Sequence, residues 1–175
     1  ISPFIRGGGQ ENGLRSGTEA TGQLAALAAA KEASYTLFAA QRTLDDARDD
    51  FKDTAEDYMY NTGKYQYVTA QHQWQAAQYT YNAAVQSFET SFRTLYLQVK
   101  DYQQVLQAAK TALATEQDNF AAAQKKHDLG NLSDNALADA KDKVSEAQDK
   151  VDGAAIDLFS AYNNYRWAVD HGILN

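Results

Sequence analysis

The side chains best suited to chemistry in this 175-residue chain are a run of carboxylates, three histidines and two hydroxyls near a glycine-rich stretch. Asp45, Asp46, Asp49, Asp50, Asp53, Glu56 and Asp57 crowd one segment, and like charges four residues apart on a helix repel mildly and would welcome a cation. Arg42, Arg48 and Lys52 stand among them, however, and no loop is available to fold oxygens around a centre. The strip therefore reads as a solvated face, and no metal site is expected. His72, His127 and His171 lie far apart with no metal-ligand spacing, and no Ser-His-Asp arrangement stands out. The absence of cysteine excludes disulfides, thiolate ligands and thiol nucleophiles. The body of the chain reads as non-enzymatic, with no cofactor. Ser16 and Thr18 close a stretch rich in glycine, which has no helical periodicity.

These residues must be positioned by long helices. Six of the ten glycines and the only proline fall within the first 22 residues. The other four glycines, Gly63, Gly130, Gly153 and Gly172, cannot supply the turns of a sandwich, barrel or doubly wound sheet. The expected fold class is all-α, with a glycine-rich segment at residues 1–22 and a helical domain at 23–175. A net charge of -7 lacks the basic footprint of nucleic-acid binding. The longest apolar run, residues 24–30, falls well short of the ~20 residues a membrane-crossing helix needs. No targeting signal is visible, and the chain, which opens on Ile1, reads as a piece of something longer.

A helical pattern starts at Leu24 and runs to about Tyr60. Within it Leu37, Ala40, Leu44, Ala47, Phe51, Thr54 and Tyr58 follow the alternating three-four spacing of a coiled-coil seam. Residues 61–64 break the pattern, with Gly63 and Lys64 at the turn and Gly63 suited to a left-handed helix end. A second turn, residues 129–134, contains Gly130, Asn131, Leu132, Ser133 and Asp134, and Ser133 or Asp134 can cap the helix that follows. Shifting the first seam by 69 residues gives Leu106, Ala109, Leu113, Glu116, Phe120, Ala123 and His127, with Glu116 as a mismatch. Beyond the turns a shift of 70 carries Ala70, Trp74, Ala77, Tyr81, Ala84, Phe88, Ser91 and Leu95 onto Ala140, Val144, Ala147, Val151, Ala154, Leu158, Ala161 and Tyr165. The expectation is an antiparallel coiled-coil hairpin present twice. A bend near residues 89–91, where Thr90 and Ser91 could cap a new helix, would give a four-helix bundle. Without it, residues 65–129 form one helix within a rod.

Residues 61–95 hold only three charges, Lys64, Glu89 and Arg93, among seven aromatics and many glutamines. Amides and phenols suit a surface touched on several sides. Either this is a central helix packed on its own neighbours, or Tyr67, Trp74, Tyr81 and Phe88 present an interaction face to other subunits.

Two resemblances cover different parts. Gly7-Gly8-Gly9-Gln10-Glu11-Asn12-Gly13-Leu14-Arg15-Ser16-Gly17-Thr18-Glu19 closely resembles the glycine-rich loop of cysteine desulfurases, the pyridoxal-phosphate enzymes that take sulfur from cysteine. That resemblance makes Ser16 and Thr18 contacts of the cofactor phosphate. The family's Schiff-base lysine would precede this chain, and its catalytic cysteine has no counterpart here. The body resembles TolC-type outer-membrane efflux proteins. The likeness is carried by Phe120-Ala121-Ala122-Ala123, Leu129-Gly130-Asn131-Leu132-Ser133, Ala136-Leu137-Ala138-Asp139-Ala140 and the seam through Ala147, Ala154 and Ala161. It covers residues 89–172 clearly and 33–88 less so. It implies the periplasmic tunnel part of an efflux channel, in the periplasm or cell envelope, partnered by copies of itself or by periplasmic adaptor proteins. The β-strands with which that family builds its outer-membrane barrel find no room in a 69-residue repeat. The functional expectation is a non-enzymatic assembly domain; the alternatives are a desulfurase fragment and a plain structural coiled coil.

Overall fold

The computed structural model describes residues 16–174, with side chains from residue 21 onward. They form four helices and no strand: α1 (Ser16–Ala33), α2 (Tyr35–Asp57), α3 (Tyr65–Asp128) and α4 (Asp134–His171). The chain is all-α. Residues 1–15 of the glycine-rich segment lie outside the described residues. Helix α1 begins at Ser16 and runs through Gly17 and Gly22, so the expected boundary at residue 22 falls inside a helix. Two helical glycines cost about 1 kcal/mol each, and the alanines around them restore helix propensity.

The chain divides into two compact units, one comprising residues up to 93 with 166–175, the other residues 94–165. In the first unit, α2 and α3 run antiparallel. Phe51 stacks on Trp74 with ring centroids 5.3 Å apart and meets Tyr67 edge-on at 5.4 Å, while Leu37 and Gln41 line one groove with Tyr81 and Val85, and Lys31 of α1 pairs with Glu89 farther along α3. Numbers rise along one helix as they fall along the other. Leu37 is buried, and Ala40, Leu44, Ala47, Phe51, Thr54 and Tyr58 are half-buried between exposed charges. On α3 the inward positions are Tyr67, Ala70, Trp74, Ala77, Tyr81, Ala84 and Phe88. Phe92, not Ser91, is the next buried residue, followed by Leu95 and Val99. Two four-residue steps therefore follow each other at 84–92, where strict alternation would need a three.

The helical pattern expected as continuous from Leu24 to Tyr60 is divided at Ser34. Its backbone is extended (φ -77°, ψ 109°), and its hydroxyl accepts the Leu37 amide at 3.4 Å, capping α2. The end of α4 lies against this break. Gly172 has φ +62°, and a Cβ there would meet Ser34 N at 2.4 Å and Ala30 O at 2.7 Å. Ala30, Ser34 and Ala168 are fully buried, so this junction excludes side-chain bulk altogether.

Helix α3 passes through residues 89–91 without a break, so the bend offered as one alternative is absent. The Thr90 hydroxyl donates back to Gln86 O at 2.9 Å instead of capping a new helix. In the second unit, Tyr96 and Tyr165 meet edge-on at 6.1 Å, and His127 Nε2 lies 2.7 Å from Asp134 Oδ1. These two contacts make α3 and α4 antiparallel there. Leu106, Ala109, Leu113, Glu116, Phe120, Ala123 and His127 are all half-buried. The Glu116 carboxylate escapes its apolar neighbours by accepting the Asn119 amide at 3.2 Å.

Candidate functional site

The acidic strip forms an exposed or half-exposed face of α2. Two of its carboxylates are paired locally: Arg48 reaches Asp45 at 3.3 Å and Asp49 at 3.4 Å, and Lys52 reaches Asp49 at 3.3 Å. The Lys52 hydrogen bond, with Arg48 adding to it, holds the Asp49 carboxyl below its usual range. Among the described residues, no cluster of three His, Asp or Glu side chains could hold a metal. His72 is exposed, His127 lies between Asp134 and Asp128, and His171 sits 4.1 Å from the Trp167 ring. A groove of about 350 Å³ in the first unit is lined by Leu37, Phe38, Gln41, Tyr81 and Val85, with Lys31 and Glu32 beside them. Lys31 is tied to Glu89 and Gln41 to Asp45. Ser16 and Thr18 belong to the first turn of α1.

The expected interaction face is turned inward. Tyr67 and Phe88 are buried, Trp74 stacks on Phe51, and Tyr81 is half-buried at the groove. Four-three spacing placed these rings together, and their apolar bodies close the α2–α3 contact. What α3 leaves outside is a second stripe one position on: Gln75, Tyr79, Asn82 and Gln86, all exposed, with Tyr79 at 76 %. From Tyr58 to Phe88 the only formally charged side chain is Lys64. In the second unit α4 exposes Ile156, Phe159 and Tyr162 at three-residue spacing.

The two turns share one backbone device. At the second, Gly130 (φ +72°) ends α3, its amide bonding His127 O at 2.8 Å while Asn131 N bonds Lys126 O at 2.9 Å. This is the Schellman arrangement, which satisfies carbonyls that a helix end leaves bare. Ser133 then caps α4 by accepting the Ala136 amide at 3.3 Å, and Asp134 lies in its first turn. Leu129 is exposed and Leu132 half-buried.

The first turn repeats the arrangement without the glycine. Met59 N bonds Glu56 O at 3.0 Å and Tyr60 N bonds Ala55 O at 2.7 Å. Met59 (φ 51°) and Tyr60 (φ 57°) are both left-handed, and helix α2 ends at Asp57. Gly63, expected to supply that conformation, does not have a positive φ; its amide is taken by the Asn61 side chain at 3.0 Å. Lys64 follows in the turn, exposed, its amide bonding Asn61 O at 3.0 Å. A left-handed L-residue costs about 1–2 kcal/mol, so the turn is strained twice over. Glycine placement pointed to Gly63, and nothing in the sequence marks Met59 or Tyr60. Ser34 could have been read as a cap, but the alanine-rich pattern continues across it.

Comparison with protein-family models, with curated proteins and with solved structures finds no match to this chain. Fold and function therefore rest on the residues and their geometry. Among the described residues, no helix is long and apolar enough to cross a membrane.

Proposed function

We propose that the chain is a non-enzymatic assembly domain of duplicated antiparallel coiled-coil hairpins, similar to the periplasmic tunnel part of TolC-type efflux channels. Its partners are copies of itself or periplasmic adaptor proteins, in the periplasm or cell envelope. The observation that carries this reading is the outer stripe of α3. Solvated helix faces ordinarily carry Lys and Glu, yet Gln75, Tyr79, Asn82 and Gln86 are exposed and uncharged while their aromatic neighbours are already spent on α2. Such a stripe can meet another copy without bringing like charges together, which the acidic face of α2 cannot. The exposed Ile156, Phe159 and Tyr162 add an apolar strip of the kind that marks protein contacts.

A chain without cysteine makes the test clean. Tyr79→Cys should cross-link copies of the chain through a short bifunctional maleimide, and Asp50→Cys, also exposed but on α2, should not. Equal cross-linking at both positions, or none at either, would remove the outer stripe as the contact.

A further inference from the structure

Nothing in residues 30–37 dictates a helix end. Ala30-Lys31-Glu32-Ala33-Ser34-Tyr35-Thr36-Leu37 contains no glycine or proline, yet Ser34 is extended and the helix restarts after it. The break forfeits helical hydrogen bonds. Ser34 N turns to Lys31 O at 3.2 Å, which leaves Ala30 O without its helical donor. Among the described residues, the amides of Tyr35 and Thr36 find no acceptor, while the Ser34 hydroxyl recovers the Leu37 amide. The contact with α3 does not call for the break either. Leu37 and Gln41 share a groove with Tyr81 and Val85, and Lys31 pairs with Glu89 in the same antiparallel register, as one continuous helix would place it. What lies against the break is the end of α4. Gly172 packs so closely there that a Cβ would collide with the Ser34 backbone and come within 2.7 Å of Ala30 O. Ala30, Ser34 and Ala168 are fully buried around it.

We infer that the end of α4 is a clasp on a two-state helix. Docked, residues 168–172 hold α1 and α2 apart at Ser34; released, they let residues 16–57 join into one helix. The two states trade unlike terms. Docking buries Ala30, Ser34, Ala168 and Gly172 and uses the Ser34 cap. Release restores the helical bonds from Tyr35 N to Lys31 O and from Thr36 N to Glu32 O. A helix interrupted by a distant contact, and not by its own residues, is the element that such a switch needs. The consequence reaches the groove, whose walls stand on both sides of the break: Lys31 and Glu32 belong to α1, and Leu37, Phe38 and Gln41 to α2. Release reshapes the groove, so the end of α4 and the groove are coupled. The clasp does not depend on the assembly reading, since its contacts lie within one compact unit of a single chain.

The test is residue-resolved amide hydrogen exchange on the full chain, followed by NMR, for the parent, Gly172→Leu, Ser34→Ala and Gly153→Ala. Gly172→Leu blocks docking by bulk. There the Tyr35 and Thr36 amides should exchange at least about tenfold more slowly than in the parent, because they gain acceptors. Ser34→Ala keeps the backbone that Gly172 touches and removes only the cap. Linkage then predicts that Asp170 and His171, in the last turn of α4, exchange about tenfold faster, while amides around Phe51 keep the parent's rates. Gly153→Ala, in open space elsewhere on α4, should match the parent at all of these positions. Faster exchange at residues 24–33 in Gly172→Leu, with Tyr35 and Thr36 still unprotected, would overturn the proposal, because α1 would then fray and not join α2. An end of α4 as protected in Ser34→Ala as in the parent would overturn it too, and that variant decides alone if Gly172→Leu unfolds outright.

Discussion

Gly172, Gly130 and Gly153 separate three different demands on a residue without a side chain. At Gly172 a Cβ would lie 2.4 Å from Ser34 N and 2.7 Å from Ala30 O, backbone atoms that cannot step aside, and φ is +62°. Gly172→Ala should cost about 3 kcal/mol or more in urea unfolding. Gly130 has φ +72° but open space around it, so Gly130→Ala should cost only about 1 kcal/mol. Gly153 lies inside α4 with nothing within 4 Å, and Gly153→Ala should stabilise by about 0.5–1 kcal/mol. The strain at Met59 makes the opposite prediction for an added glycine: Met59→Gly should stabilise by about 0.5–1 kcal/mol, the left-handed cost less the entropy glycine adds to the unfolded chain. Titration sets a further expectation at this scale. Partial burial, then the neighbouring Tyr96 and Tyr162, push the Tyr165 phenol above its ordinary value of 10.0. In the unfolded chain it ionises near that value, so the stability it supports is fully present below pH 10 and is lost as pH rises through the raised value. Tyr165→Phe should blunt the alkaline loss of stability followed by circular dichroism.

At the scale of elements, α2 and α3 are held by aromatic rings in the first unit, where Phe51 engages both Trp74 and Tyr67. Phe51→Ala should cost about 2–3 kcal/mol, because a half-buried ring and two ring pairs are lost together. Ser91→Pro should cost about 3 kcal/mol or more and expose residues 88–95 to hydrogen exchange, because α3 is unbroken there. The helices themselves were legible in the sequence: the scarcity of glycine and proline and the three-four spacing of Leu37, Ala40, Leu44 and Phe51 leave few other solutions. Many positions of the expected seam are half-buried, because burial follows helix period, but Ser91 is exposed while Ala55 and Phe92, which the spacing did not pick, are buried. Three features were not legible. Ser34 divides a helix whose local propensity is uninterrupted, since the deciding contact is with Gly172, far away in sequence. Met59 and Tyr60 adopt a conformation that their own side chains disfavour, so propensity pointed to Gly63. Tyr67, Trp74, Tyr81 and Phe88 were grouped correctly by period, but period does not say which face of a helix meets its own chain and which meets another.

In the proposed assembly, charge and exposure serve different tasks across the molecule. The acidic face of α2 keeps net charge in solvent, the aromatic side of α3 closes the fold, and the outer stripe through Gln75, Tyr79, Asn82 and Gln86 is left for other subunits. Like charges placed on that stripe would face each other across a contact between copies and separate them. The direct measurement is the molar mass by light scattering across a wide concentration range, for the parent chain and for Gln75→Glu/Tyr79→Glu. The parent should reach a multiple of the 19.3 kDa chain mass, and the variant should stay at that of a single chain with unchanged helix content. A parent chain that remains at 19.3 kDa throughout, or a variant that associates equally well, would contradict assembly through this face.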